Sequence, residues 1–427
     1  MPTVTETALR RSDSPKSKKS IKRSRIAFFG IFGIQNLGNE CTLQAILHNA
    51  RERLPDADIY SITYDFGDTT RRHSVAAVPI SQQNLKDDQR PGVFAKFARI
   101  LLRRIPGELN DWRSAIRTLR GTDLVVMTGT GMLTDYSTTA FGFPYTIFRW
   151  SLAARLVGCK VRFVGVGVGP IYSRLSRLFI RCALSLADYR SFRDQFSKDR
   201  IAKSCFDSRR DSVFPDLAFS LPETLFPYRF EERSRKVRVG VGVMDHQDVH
   251  LSTTDQHRAE YSSYLDKMCE FVTWLVEHGY SVRVLQGDAR HDVGTRTELK
   301  RRLEQRGVHY EQGGIIDEDT ATVEELLVQL KTLDIVVSPR FHNLLLAMMM
   351  NIPVVSISYD PKNDYLLEGV GLGKYRQALV DFDIPKLIQQ FSDLEANRQR
   401  LQPMLRDKAD EYRALLEKQY DLIFSNL

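Results

Sequence analysis

Short apolar, β-rich runs that stop at glycine or polar residues alternate along this chain with stretches whose apolar positions recur every three or four residues. That alternation predicts a mainly parallel sheet covered by helices, because a parallel strand is buried on both faces while a covering helix buries one stripe. Strands are expected at Arg25 to Phe29, Ile59 to Tyr64, Leu124 to Met127 and Val161 to Val166. Glu40 to Leu54 reads as a helix with Leu43, Ile46, Leu47, Ala50 and Leu54 on one face, and Pro144 to Leu156 as another.

The pattern breaks in FPDLAFSLPETLFPYRFEERSRK, residues 214–236, where three prolines and a charged end mark a boundary between domains. A second α/β set follows, with strands at Val237 to Val243, Ser281 to Leu285, Asp334 to Val337 and Val354 to Ser358, and helices at Tyr261 to His278 and Val323 to Leu330. The expected fold is α/β, two Rossmann-like domains with mainly parallel sheets facing across a cleft. A tail over residues 1–24, a first domain over 25–220, a linker over 221–236, a second domain over 237–385 and C-terminal helices over 386–427 that pack back on the first domain complete the layout.

Composition sharpens this picture at three points. With 427 residues, 42% hydrophobic and 27% charged, the chain can bury a deep cleft. Its formal charge of +8 invites a nucleic-acid reading, yet the first 25 residues hold eight Lys/Arg against Glu6 and Asp13, which is +6 and leaves +2 for the rest. Nucleic acid is therefore not expected as a partner; the Ser-rich tail suits either a solvated arm or peripheral contact with an acidic lipid surface. Five scattered cysteines without a C-x-x-C pair, no apolar h-region and no apolar run of membrane-spanning length lead to the expectation of a cytoplasmic protein with no metal site.

The densest chemistry lies in DIVVSPRFHNLLLAMMMNIPVVSISYD. A strand meets Ser338, a favoured N-cap, and Pro339, favoured at the first helical position, so the spacing predicts a helix starting at Pro339. Free N–H groups and the positive dipole end would then favour an anion beside Ser338 and Arg340, with His342 placed for proton exchange. Strand-to-helix loops sit at the carboxyl edge of a parallel sheet, where such folds bind ligands. The LLLAMMM run is core packing.

Other polar groups stand on glycine-containing loops. GIFGIQNLGNE lacks dinucleotide-binding spacing but brings Asn36 and Glu40 to a backbone able to approach a ligand. VVMTGTGMLTDY carries Asp135, which suits either a base or a helix cap. Arg193 and Asp194, in SFRDQFS, read as a surface pair on their own, and Asp288, His291 and Asp292, in LQGDARHDVG, as polar residues at the cleft edge.

In order, GIQNLGNE, TGTGMLTD, GVGVGP, SFRDQFS, FPDLAF and SPRFHNLLLAMMMNIPVVSISYDPK resemble the polysaccharide pyruvyl transferase family, from about Ile26 to Gly373. The sequence departs from the family pattern at Asn39, where aspartate is usual, and at Phe341, where leucine is usual. The resemblance implies a GT-B-like pair of domains, with the acceptor on the first and the donor on the second. It also implies phosphoenolpyruvate as co-substrate with no other cofactor, and a lipid-linked or nucleotide-linked sugar acceptor made into a pyruvate ketal for exopolysaccharide or another cell-surface glycan. Arg340 and His342 would lie in the donor site, and Arg193 would become a second anion contact. On this reading His342 protonates the methylene carbon of the donor and Asp135 acts as base. Two rival readings remain at this point: a nucleotide-sugar glycosyltransferase of the same architecture, and a non-catalytic protein that binds a sugar phosphate.

Overall fold

The structure is a computed structural model that describes residues 23–81, 105–226, 236–245 and 255–425. The basic tail and most of the linker lie outside the described residues.

Two doubly wound parallel sheets form the molecule. The first contains β1 (Arg25–Phe29), β2 (Asp58–Thr63), β3 (Ala76–Pro79), β4 (Leu124–Thr128), β5 (Lys160–Val166), β6 (Tyr189–Phe192) and β7 (Ser212–Val213), in the order β3-β2-β1-β4-β5-β6-β7. The second contains β8 (Arg238–Gly242), β9 (Ser281–Leu285), β10 (Ile315–Ile316), β11 (Ile335–Ser338), β12 (Val354–Ser358) and β13 (Arg376–Ala378), in the order β10-β9-β8-β11-β12-β13. Every strand pair is parallel. In each sheet the order reverses beside the first strand, between β1 and β4 and between β8 and β11, so adjacent loops diverge there and leave a crevice at the carboxyl edge.

The strands are short apolar runs because helices cover both faces; β4 and β12 are buried at every position. One face of the first sheet packs its own core around Phe29, Trp150 and Phe163. The other face shares a continuous core with the second sheet, running from Leu37, Cys41 and Ile46 through Leu217 and Phe219 to Leu344, Leu345 and Tyr420. The lobes are thus joined by apolar contact as well as by chain.

The helices Ile384–Ala396 and Arg398–Phe424 close the structure. The second returns to the first lobe, where Gln419 Nε2 donates to Ser191 Oγ at 2.6 Å and Tyr420 and Ser220 share a hydroxyl hydrogen bond of 2.7 Å. Among the described residues no helix is long and apolar enough to cross a membrane.

Candidate functional site

The lobes touch directly across the crevice. Leu37 N–H donates to the Gly287 carbonyl at 3.1 Å and Ala289 N–H to that of Gln35 at 3.0 Å, while Asn36 Nδ2 reaches Asp288 Oδ2 at 3.2 Å. Gln35 adopts a left-handed φ of 64° to present its carbonyl there, a conformation costly for a residue with a side chain. Asn36 also caps the Leu37–Arg53 helix by accepting from Asn39 N–H.

Beside this contact lies a cavity of about 210 Å³. Its walls are the loops after β1 (Asn36, Gly38, Asn39), β4 (Thr130, Gly131), β6 (Arg193), β9 (Gly287), β11 (Arg340, Phe341, His342) and β12 (Tyr359, Lys362). Every contributor therefore follows the carboxyl end of a strand, as the topology requires. A second cavity, of about 440 Å³, adjoins it through Arg193, Arg340, Tyr359 and Lys362.

The helix that carries His342 starts later than the sequence suggests. It spans Phe341–Met349, with Arg340 as N-cap in an extended conformation and no side chain bonded to its first turn. Ser338 pairs with Ser356 in the ladder between β11 and β12 and so ends the strand, while Arg340, itself extended, takes the cap position. The fully buried Ser338 hydroxyl accepts from Arg340 N–H at 3.1 Å. Ser338 is thus a support beneath the turn and does not line the cavity. The unbonded N–H groups at the start of the helix still provide an electropositive end.

Three arginine and lysine side chains reach the cavity in different states. Arg340 is clamped by Asp292, which is fully buried and accepts from Arg340 Nε at 3.1 Å and also from Nη2. Burial opposes the Arg340 charge, but Asp292 more than offsets this, so its pKa stands above the usual arginine value. Asp292 is itself fixed by the N–H groups of Gly287 and Asp288, each at 2.9 Å. Arg193 lies between Asp194, at 3.3 Å, and Asp216, at 3.5 Å, with its guanidinium carbon 5.1 Å from the centroid of the Phe341 ring. Lys362 is half-buried, rests 4.5 Å over the Tyr359 ring, and has no carboxylate partner among the described residues.

His342 is enclosed. Burial lowers its pKa from 6.5 to about 4, and Arg193 and Lys362 push the same way, against the opposing pull of Asp216. Its Nε2 is 3.9 Å from Asp216 Oδ1, too far for a hydrogen bond, and has no hydrogen-bond partner. Thr130 Oγ1, 2% exposed on the facing loop, is also unpaired. His342 Nε2 and Thr130 Oγ1 border the same cavity, where a ligand would supply the missing bonds.

Glycines admit these side chains. A Cβ on Gly38 would lie 2.0 Å from His342 Nδ1, and one on Gly167 2.8 Å from the Arg193 guanidinium carbon. Their loops thus make room for site side chains, not only for a ligand.

The structure therefore gathers Arg340, His342, Arg193 and Asn36 around one cavity, and leaves Ser338, Glu40 and Asp135 outside it. Glu40 turns inward, accepting from Gly33 N–H at 2.9 Å and pairing with His73 Nε2 at 2.8 Å. Both partners are buried. Asp135 accepts from Tyr172 and Ser173 N–H at 2.8 Å each, bracing the loop just before the Arg174–Ser185 helix, whose cap is Ser173, and it lines neither cavity. Asp216, Asp292, Thr130 and Lys362 were not expected as site residues. All but Asp292 lie in segments that carry the family resemblance; Asp292 stood out only as a polar residue in a loop.

Two doubly wound parallel lobes with a cavity between them make a GT-B-like α/β architecture, and structural comparison agrees. A putative UDP-N-acetylglucosamine 2-epimerase from Listeria monocytogenes is 11% identical, with a TM-score of 0.58 over 94% of this chain and 97% of that one. S. aureus MnaA with UDP gives 11% and 0.57 over 94% and 96%, and a Rickettsia africae glycosyltransferase 12% and 0.55 over 95% and 100%. No curated protein gives a significant match. The chain belongs to the polysaccharide pyruvyl transferase family, whose model matches residues 36–361.

Proposed function

We propose that this protein transfers a pyruvyl group from phosphoenolpyruvate to two hydroxyls of a sugar, with the 210 Å³ cavity as donor site. The observation that carries this reading is the convergence on one interlobe cavity of Arg340, Arg193, Lys362, an uncapped helix start and an unbonded His342 Nε2. Phosphoenolpyruvate bears a phosphate and a carboxylate on an alkene and needs separate cationic anchors; Lys362 is uncommitted and the two arginines are held in place.

His342 is neutral in the empty site at neutral pH. The arriving anions raise its proton affinity as Asp216 does, so the proton is loaded with the donor bound. His342 then protonates the methylene carbon, and a sugar hydroxyl bonds to the adjacent, cation-like carbon and returns a proton to the imidazole. A second hydroxyl closes the ketal as the C–O bond to phosphate breaks, and its proton leaves with the phosphate. Asp216 stabilises the imidazolium between these steps. The acceptor enters through the adjoining 440 Å³ cavity.

The test is turnover with radiolabelled phosphoenolpyruvate and a lipid-linked oligosaccharide extract, following phosphate release and label in the saccharide. Parallel reactions contain labelled nucleotide sugars. Label should pass only from phosphoenolpyruvate, and His342→Gln should lower the rate by roughly 10² to 10⁴ with the fold intact. Transfer from a nucleotide sugar instead, or a variant within a few-fold of wild type, overturns the assignment.

A further inference from the structure

We propose that the 440 Å³ cavity recognises an acceptor saccharide carrying its own anionic group, a phosphoryl or a carboxyl, and that Arg200 binds that group. The proposal rests on the pyruvyl-transfer reading and adds the charge class of the acceptor.

Four aromatic side chains line this cavity, Tyr136, Tyr172, Phe196 and Tyr359, and Tyr172 is 68% exposed. Flat apolar faces beside polar groups suit a pyranose, whose C–H face packs on a ring while its hydroxyls seek partners. The cations of the cavity differ in commitment. Arg193 and Arg340 are held by Asp194, Asp216 and Asp292. Arg200 and Lys362 are half-buried and without carboxylate partners among the described residues, but Lys362 also lines the donor cavity and Arg200 does not.

Arg200 is nevertheless held in place. Its guanidinium carbon lies 4.2 Å from the Phe196 ring centroid and Nη1 donates to the Val168 carbonyl at 3.4 Å. A stacked guanidinium keeps its planar fork of donors and loses little freedom on meeting an oxyanion, which is the arrangement that favours bidentate binding. A neutral sugar would leave this preset charge unused. Arg200 follows β6 on the helix Gln195–Ser204 and is absent from the walls of the donor cavity, so its anion is distinct from the two borne by phosphoenolpyruvate.

Calorimetric titration of the full chain tests this with galactose 1-phosphate, galacturonic acid and galactose, each with and without saturating phosphoenolpyruvate, and with phosphoenolpyruvate alone. At least one anionic probe should bind on the order of tenfold tighter than galactose, equivalent to one charge-assisted contact. Arg200→Gln should erase that difference and leave the phosphoenolpyruvate affinity within about twofold. A gain for the phosphate alone or the uronic acid alone identifies the source of the anion. Equal affinity for all three sugars, no binding of any, persistence of the preference in Arg200→Gln, or competition of the anionic sugar with phosphoenolpyruvate overturns the proposal. Arg200-dependent sugar binding in a protein that ignores phosphoenolpyruvate would sustain this subsite and sink the donor reading instead.

Discussion

The imidazole of His342 on the second lobe occupies the space that a side chain at Gly38 of the first lobe would fill. Gly38→Ala should therefore displace the ring. Displacements of about 1 Å can cost on the order of 10² in rate, so kcat should fall tenfold or more. Both residues line the 210 Å³ cavity, which gives the displaced ring room, so the melting temperature should move by only a few degrees. Paired kinetics and thermal unfolding check this, and full activity in the alanine variant would show that the ring position is irrelevant.

The low pKa of His342 also writes a signature into stability. Its folded value, about 4, lies below the 6.5 of a free histidine, so between these values the unfolded chain binds more protons. Stability contributed by the neutral ring is complete above pH 6.5 and declines as pH falls toward 4, by at most about 1.4 kcal/mol per unit. Denaturant unfolding across this range should show the decline in wild type and a shallower one in His342→Gln. Identical slopes would contradict a buried neutral ring.

Asp292 should be the most sensitive acidic residue near the cavity. Removing its charge leaves Arg340 buried beside a neutral amide, and breaking such a pair costs about 3–5 kcal/mol. Asp292→Asn should unfold at clearly lower denaturant concentration, and any folded fraction should show a raised KM for phosphoenolpyruvate. A variant with wild-type stability would mean that Asp292 is not the partner that holds Arg340.

The α/β class and most strands were legible because parallel strands are continuous apolar runs, as β1 and β12 show. Two-residue strands such as β7 and β10 carry too little pattern to read. At the site, sequence marked the elements better than the orientations. Ser338 and Pro339 suggested a helix start, but Ser338 stays in the ladder with Ser356 and Arg340 is extended, so the helix begins at Phe341. Asp135 stands on the expected loop and Glu40 in the first turn of the expected helix, yet both carboxylates bond backbone N–H groups, a choice set by tertiary neighbours. Asp292 was undervalued because its partner, Arg340, is 48 positions away.

Asn39 differs from the aspartate usual in the family, and its amide has a use that a carboxylate lacks. Nδ2 donates to the Ile31 carbonyl at 2.9 Å, bracing the loop after β1. Asn39→Asp would face that carbonyl with an acceptor, costing about 1–3 kcal/mol, partly offset by about 0.3–1 kcal/mol from an acid in the first turn of a helix. The expected result is a small drop in melting temperature together with weaker phosphoenolpyruvate binding, because a new negative charge borders the donor cavity. Tighter donor binding would reverse the electrostatic argument.

Phe341, the other departure, offers a sharper separation of effects. Its ring faces the Arg193 guanidinium at 5.1 Å, and leucine would keep the apolar volume while removing the negative ring face. A cation–π contact contributes about 0.5–2 kcal/mol, so Phe341→Leu should raise KM for phosphoenolpyruvate by roughly two- to thirtyfold. Leucine can keep the helix backbone, but the lost ring also stands edge-on to His342 with centroids 5.1 Å apart, so kcat should fall too, by less than KM rises. Phe341→Tyr, which keeps the ring, should restore the wild-type KM if its hydroxyl is accommodated at the open edge of the cavity. A fall in kcat with KM unchanged in the leucine variant would assign Phe341 to the alignment of His342 and remove Arg193 from the list of donor anchors.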